Sequence, residues 1–134
     1  AGGAFGAVIQ ATDVGAYLGE NLADLGVGIF VPFLIAAALK SAQGSSTVAL
    51  VTTSVLVAPL LGDLGFDSDF GRVLVVMAIG AGAMTVSHAN DSFFWVVTQF
   101  SRMSVKQAYA AQTAATGLQG VATMAVVFAL SFAV

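Results

Sequence analysis

Of the 134 residues, 58% are apolar and only 8% charged, and the mean hydropathy is +0.96. Soluble domains carry roughly 25% charged residues, so this is a membrane composition, and a soluble fold of this size could not hide so much apolar surface. The formal charge of −3 rests on Lys40, Arg72, Arg102 and Lys106 against seven carboxylates, which leaves no basic patch for nucleic acid. Without cysteine, and with a single histidine, there is no disulfide framework, thiol nucleophile or His/Cys metal site, and nothing calls for a cofactor.

The chain opens Ala1-Gly2-Gly3 with neither an initiator methionine nor a signal-peptide pattern, and reads as a piece of something longer. Residues 1–25 are expected to form a helix end and an interfacial helix. Gly2 to Ile9 is apolar and glycine-rich, and Asp13, Glu20, Asn21 and Asp24 then interrupt Val14, Tyr17, Leu18 and Leu22 at amphipathic spacing. Gly2, Gly3 and Gly6 equally suit close helix packing within a membrane.

Residues 26–61 hold two apolar limbs around a polar Gly-Ser tip. Each limb has about 13 residues, about 20 Å of helix, against a hydrocarbon thickness of roughly 30 Å. That shortness predicts a re-entrant hairpin. Two full spans joined by a surface loop at Lys40 to Thr47 remain the alternative, because periodicity does not separate them. Pro59, Gly62, Asp63, Gly65, Asp67, Ser68 and Asp69 then form a breaker cluster, with Ser68 or Asp69 placed to cap the next helix.

Residues 70–100 are longer than one span needs, about 46 Å if helical throughout. The polar run Ser87-His88-Ala89-Asn90-Asp91-Ser92 interrupts them and predicts a broken transmembrane helix. Residues 108–134 form the final transmembrane helix, with Gln112, Thr116, Gln119 and Thr123 on one face, where packing against protein explains them better than ligand contact. By the positive-inside rule the loop with Arg102 and Lys106 is cytoplasmic and the acidic loops lie outside. Two full crossings would place those loops equally well.

Both polar breaks carry candidate chemistry. Where two half-helices meet, unpaired carbonyls and amides become available, and a helix start favours an anion. At the tip these groups belong to Gln43, Gly44, Ser45, Ser46 and Thr47. Lys40, one turn earlier, would be costly as a lone ammonium, so it either meets an anionic substrate, snorkels to water or caps carbonyls. In the second break His88 can exchange protons near neutral pH or simply link unwound backbone, and Asp91 needs a partner or a proton. Asn90 and Ser92 add donors and acceptors. Ser87, His88 and Asp91 are the residue types of a hydrolase triad, but neighbours in one unwound segment seldom reach triad geometry, so catalysis is not expected.

The segments Ala37-Ala38-Leu39-Lys40-Ser41-Ala42-Gln43-Gly44-Ser45-Ser46-Thr47-Val48-Ala49 and Ser87-His88-Ala89-Asn90-Asp91-Ser92-Phe93-Phe94-Trp95 resemble the gluconate permease family of proton-coupled sugar-acid symporters, within the ion transporter superfamily. The resemblance runs from Ala1 to the last helix and matches roughly the C-terminal third of a typical member. It implies an all-α membrane protein, the C-terminal repeat of an inverted-repeat secondary transporter with a re-entrant hairpin and a broken helix. It further points to Gln43, Gly44, Ser45, Ser46 and Thr47 as the hairpin-tip part of a site and to His88, Asn90 and Asp91 as the broken-helix part; with the residue chemistry above, substrate contacts are expected at Lys40, at those tip residues and at Asn90, and proton coupling at His88 and Asp91. Where the family often has arginine ahead of the tip, this chain has Lys40, which keeps the charge without the bidentate geometry.

The expected partners are a gluconate-like organic anion, protons, the lipid bilayer, the N-terminal repeat that this chain lacks and, as an open alternative, a second copy in a homodimer. The expected location is a bacterial inner membrane, multi-pass. A non-transporting membrane interaction subunit is the rival reading, and the family leaves the choice among gluconate, glycerate, idonate and D-serine open.

Overall fold

A computed structural model describes residues 28–133, so the helix end and interfacial helix expected over 1–25 lie outside the described residues. Within them every regular element is helical. Helix α1 spans Phe30–Gln43 and α2 spans Ser46–Val57, continued by a 3-10 turn at Ala58–Leu60; α3 spans Asp69–Met84 and α4 spans Ser92–Phe100. A short α5, Val105–Ala108, passes through a π-helical turn at Tyr109–Thr113 into α6, Ala114–Ser131.

The boundaries follow from local chemistry. Gly44 ends α1 by taking a left-handed conformation, φ 79°, which returns its amide to the Lys40 carbonyl at 2.8 Å. Ser45 then caps α2 by accepting from the Val48 amide, and Ser68 caps α3 through the Gly71 amide. Ser104 and Gln107 close a reciprocal capping box ahead of the last helix. Asp91 caps α4 through the Phe93 amide, a role that places its carboxylate at the end of the 85–91 stretch. The helix expected from residue 70 thus stops at Met84, three residues before the polar run begins at Ser87, and Ser92 starts the next helix rather than closing the break.

Helix α3 lies at the centre and packs on α1, α2 and α6. Its close approaches depend on small residues: a Cβ on Gly82 would collide with the Phe33 carbonyl oxygen, and one on Gly120 would lie 2.6 Å from the Thr85 Cβ. Val31, Ala36, Ala49, Val57, Leu74, Ala78, Met124 and Val127 form the buried apolar core. Elsewhere the surface is strongly apolar, with Phe70, Val73, Val76, Leu118, Val121 and Val126 all exposed. Such a continuous apolar exterior needs lipid or protein against it. Val105–Ser131, 27 residues, is the one helix among the described residues long and apolar enough to cross a membrane; Phe30–Gln43 and Ser46–Leu60 are shorter apolar helices.

Candidate functional site

Lys40 and Asp91 are the centre of the site. Lys40 is 2% exposed and Asp91 7%, and the ammonium lies 2.6 Å from Asp91 Oδ2. An isolated charge at this burial would be very costly, so each requires the other. The lysine also donates to the Gly44 carbonyl at 3.0 Å, which ties it to the hairpin tip. Asp91 has both oxygens engaged: Oδ2 accepts from Ser87 Oγ at 2.6 Å besides Lys40, and Oδ1 accepts from the Phe93 amide at 2.9 Å.

The tip and the 85–91 stretch are pressed together. Asn90 Nδ2 donates to the Ser41 carbonyl at 2.7 Å, and a Cβ on Gly44 would overlap the Asn90 carbonyl oxygen. Only glycine permits that approach and the positive φ at once. On the far side Trp95 Nε1 donates to the Ala89 carbonyl at 2.8 Å. Val86 holds φ 47°, a region costly for a β-branched residue.

Between them opens a cleft of about 340 Å³ lined by Gln43, Gly44, Ser45, Ser46, Asn90, Asp91, Ser92 and Phe93. The first residues of α2 and of α4 therefore face one space. A helix start carries partial positive charge and amides without intrahelical acceptors, and here two of them border the same polar cleft.

Of the residues singled out from the sequence, Gln43, Gly44, Ser45, Ser46, Asn90 and Asp91 line the cleft. Lys40 is reached through its bonds to Gly44 and Asp91, while Thr47 points elsewhere on α2 and is exposed. His88 is half-buried, and among the described residues its imidazole makes no hydrogen bond; its backbone carbonyl accepts from the Asp91 amide at 2.8 Å. Sequence reasoning left Lys40 to a substrate, to water or to carbonyls, and did not pair it with Asp91. It also passed over Ser87 as an Asp91 partner and Thr113 as a partner of Ser87; the polar spacing on the last helix was the available signal for Thr116.

An all-helical fold with an apolar exterior, wrapped around a buried ion pair beneath a polar cleft, is that of a helical membrane protein. The profile described as GntP family permease matches residues 1–133, and the chain belongs to that family, whose members are permeases rather than enzymes. It is 37% identical over 134 residues to a gluconate permease of Bacillus subtilis strain 168, covering 99% of this chain and 29% of that protein. It is 33% identical over 132 residues to a gluconate permease of Pseudomonas aeruginosa, 98% of this chain and 29% of the relative. The D-serine transporter DsdX of Escherichia coli K12 is 32% identical over 133 residues, again 98% and 29%. The chain thus spans under a third of the length of these relatives. No solved structure matches it.

Proposed function

We propose that this chain is the C-terminal repeat of a secondary transporter that imports gluconate or a related sugar acid by proton symport across a bacterial inner membrane. In this reading residues 30–60 are a re-entrant hairpin, residues 69–100 a transmembrane helix broken at 85–91, and residues 105–131 the final span. Paired breaks of this kind are where secondary transporters bind substrate and coupling ion.

The observation that carries the proposal is the Lys40–Asp91 pair at 2.6 Å beneath the cleft. Empty, the pair is neutral. An incoming carboxylate adds one negative charge beside a buried ion pair, where net charge is expensive. A proton on Asp91 removes that charge and frees the Lys40 ammonium for the substrate carboxylate. Anion and proton therefore enter as a neutral pair, and each is retained poorly without the other. The amides at the start of α2, the hydroxyls of Ser45 and Ser46, and the side chains of Gln43 and Asn90 would hold the substrate's remaining oxygens. The relatives named for gluconate and for D-serine support a carboxylate as the shared group.

The decisive test is Asp91→Asn in the full-length permease carrying this segment, reconstituted in vesicles. The amide cannot lose a proton, so the variant is expected to exchange labelled gluconate across the membrane yet fail to accumulate it on an imposed pH gradient. Unchanged accumulation sinks the coupling role. No uptake from the unsubstituted protein, with the rest of the permease present, would instead favour a non-transporting membrane interaction subunit.

A further inference from the structure

Among the described residues two hydrogen bonds join the last helix to the 85–91 stretch, and both fall on Ser87. The Thr113 hydroxyl donates to the Ser87 carbonyl at 2.6 Å, and the Ser87 amide donates to the Thr116 hydroxyl at 2.9 Å. Ser87 is buried where the helical ladder has been abandoned, so its amide and carbonyl would otherwise go unpaired at a cost well above that of an ordinary hydrogen bond. A hydroxyl serves both needs, since it donates and accepts. Thr116 directs its own proton to the Gln112 carbonyl at 2.9 Å, which leaves a lone pair for the Ser87 amide.

Gln112 and Thr113 belong to the π-helical turn Tyr109–Thr113, a local irregularity of the kind often found at functional sites. With its backbone gripped on both sides, Ser87 presents Oγ at 2.6 Å to Asp91 Oδ2, the same oxygen that binds Lys40. A continuous run of hydrogen bonds thus leads from the π turn through Ser87 and Asp91 to Lys40 and the Gly44 carbonyl.

We infer that Thr113 and Thr116 are positioning residues that set the Asp91 carboxylate through Ser87, and with it how readily Lys40 is released to a substrate anion. The inference rests on the cleft being a proton-coupled anion site. Neither threonine lines the cleft, so any effect on transport passes through the 85–91 stretch.

The test compares Thr113→Val and Thr116→Val, which keep shape and lose the hydroxyl, with Thr113→Ser and Thr116→Ser, which keep the hydroxyl. Gluconate uptake by the full-length permease is measured for KM, for maximal rate and across a pH series, alongside the amount of protein in the membrane. Each valine variant is expected to raise KM roughly two- to tenfold, the span of one net hydrogen bond, and to displace the pH profile, while each serine variant stays near wild type. Because both threonines act through Ser87, adding Thr113→Val to Ser87→Ala should cost less than the two single effects combined. Valine variants with wild-type KM and pH profile overturn the inference. So do serine variants as impaired as the valine ones, and valine variants that fail to accumulate, since either result makes the threonines structural. Asp91→Asn separates the two levels: if it abolishes accumulation while the threonine variants behave as wild type, only the positioning role falls; if it leaves accumulation unchanged, the coupling role of Asp91 falls first.

Discussion

At the hairpin tip only Gly44 and Ser45 leave the helix, and both are satisfied nearby: the Gly44 amide returns to Lys40, and the Ser45 hydroxyl takes the Val48 amide. Across the cleft the whole 85–91 stretch leaves the helix, and much of its polar bonding reaches other elements, namely Lys40 and Ser41 of α1, Thr113 of the π turn and Thr116 of α6. The tip has a shape written in its own few residues. The stretch opposite takes its shape from its neighbours, so any movement of α1 or of the last helix is passed to Asp91. The cleft thus has one self-supporting wall and one dependent wall. The Lys40–Asp91 pair is the joint between the two.

Breaking that joint should produce the largest effect. Lys40→Met leaves the Asp91 carboxylate buried without its counter-ion, and removing one member of such a pair typically costs about 3–5 kcal/mol. Thermal unfolding of the full-length protein in detergent should show that loss. Adding Asp91→Asn to the same chain removes the orphaned charge and is expected to restore most of the stability while leaving gluconate accumulation absent. A Lys40→Met protein as stable as wild type would mean that the two walls are not joined by charge.

Gly44→Ala probes the contact between the walls rather than the charge. The new methyl meets the Asn90 carbonyl oxygen and forces an L-residue to keep φ 79°, so the combined cost should be about 2–5 kcal/mol. Gly62→Ala is the control, since a Cβ there meets nothing within 4 Å. The expected readout is a lowered unfolding temperature and lost uptake for the first variant and neither for the second. Equal behaviour of the two would remove the close approach of tip and break from the account.

The contrast between the walls also explains what was legible in the sequence. Gly44 and Ser45 announce a stop and a cap through their own chemistry, and Ser68 does the same, so helix ends governed by local bonds could be read to within a residue or two. The 85–91 stretch was recognisable from its polar core, but Thr85 and Val86 resemble ordinary helix residues, and nothing in their types signals that the helix has ended at Met84. The Lys40–Asp91 bond joins positions 51 apart and exists only through tertiary packing. For the same reason the sequence attached Asp91 to its neighbour His88, whereas its carboxylate is shared by Lys40, Ser87 and the Phe93 amide. The threonines of the last helix carried a visible polar spacing, yet spacing identifies a face and not what the face touches.

Val86 offers the smallest and most discriminating test, because it sits inside the dependent wall but bonds to none of the groups around Asp91. Its φ of 47° is one that a β-branched side chain adopts only under constraint from its surroundings. Glycine removes that strain, worth about 1–2 kcal/mol, and gives back about 0.5–1 kcal/mol through the greater freedom of the unfolded chain. Val86→Gly should therefore raise stability slightly, by about 1 kcal/mol or less, while amide exchange across 85–91 becomes faster because the backbone is no longer confined to a single strained form. If the packing of Thr113, Thr116 and Lys40 alone defines the wall, uptake survives this change with its pH profile intact. A fall in stability would show instead that the valine side chain itself braces the wall, and would make the 85–91 stretch less dependent on its neighbours than its hydrogen bonds imply.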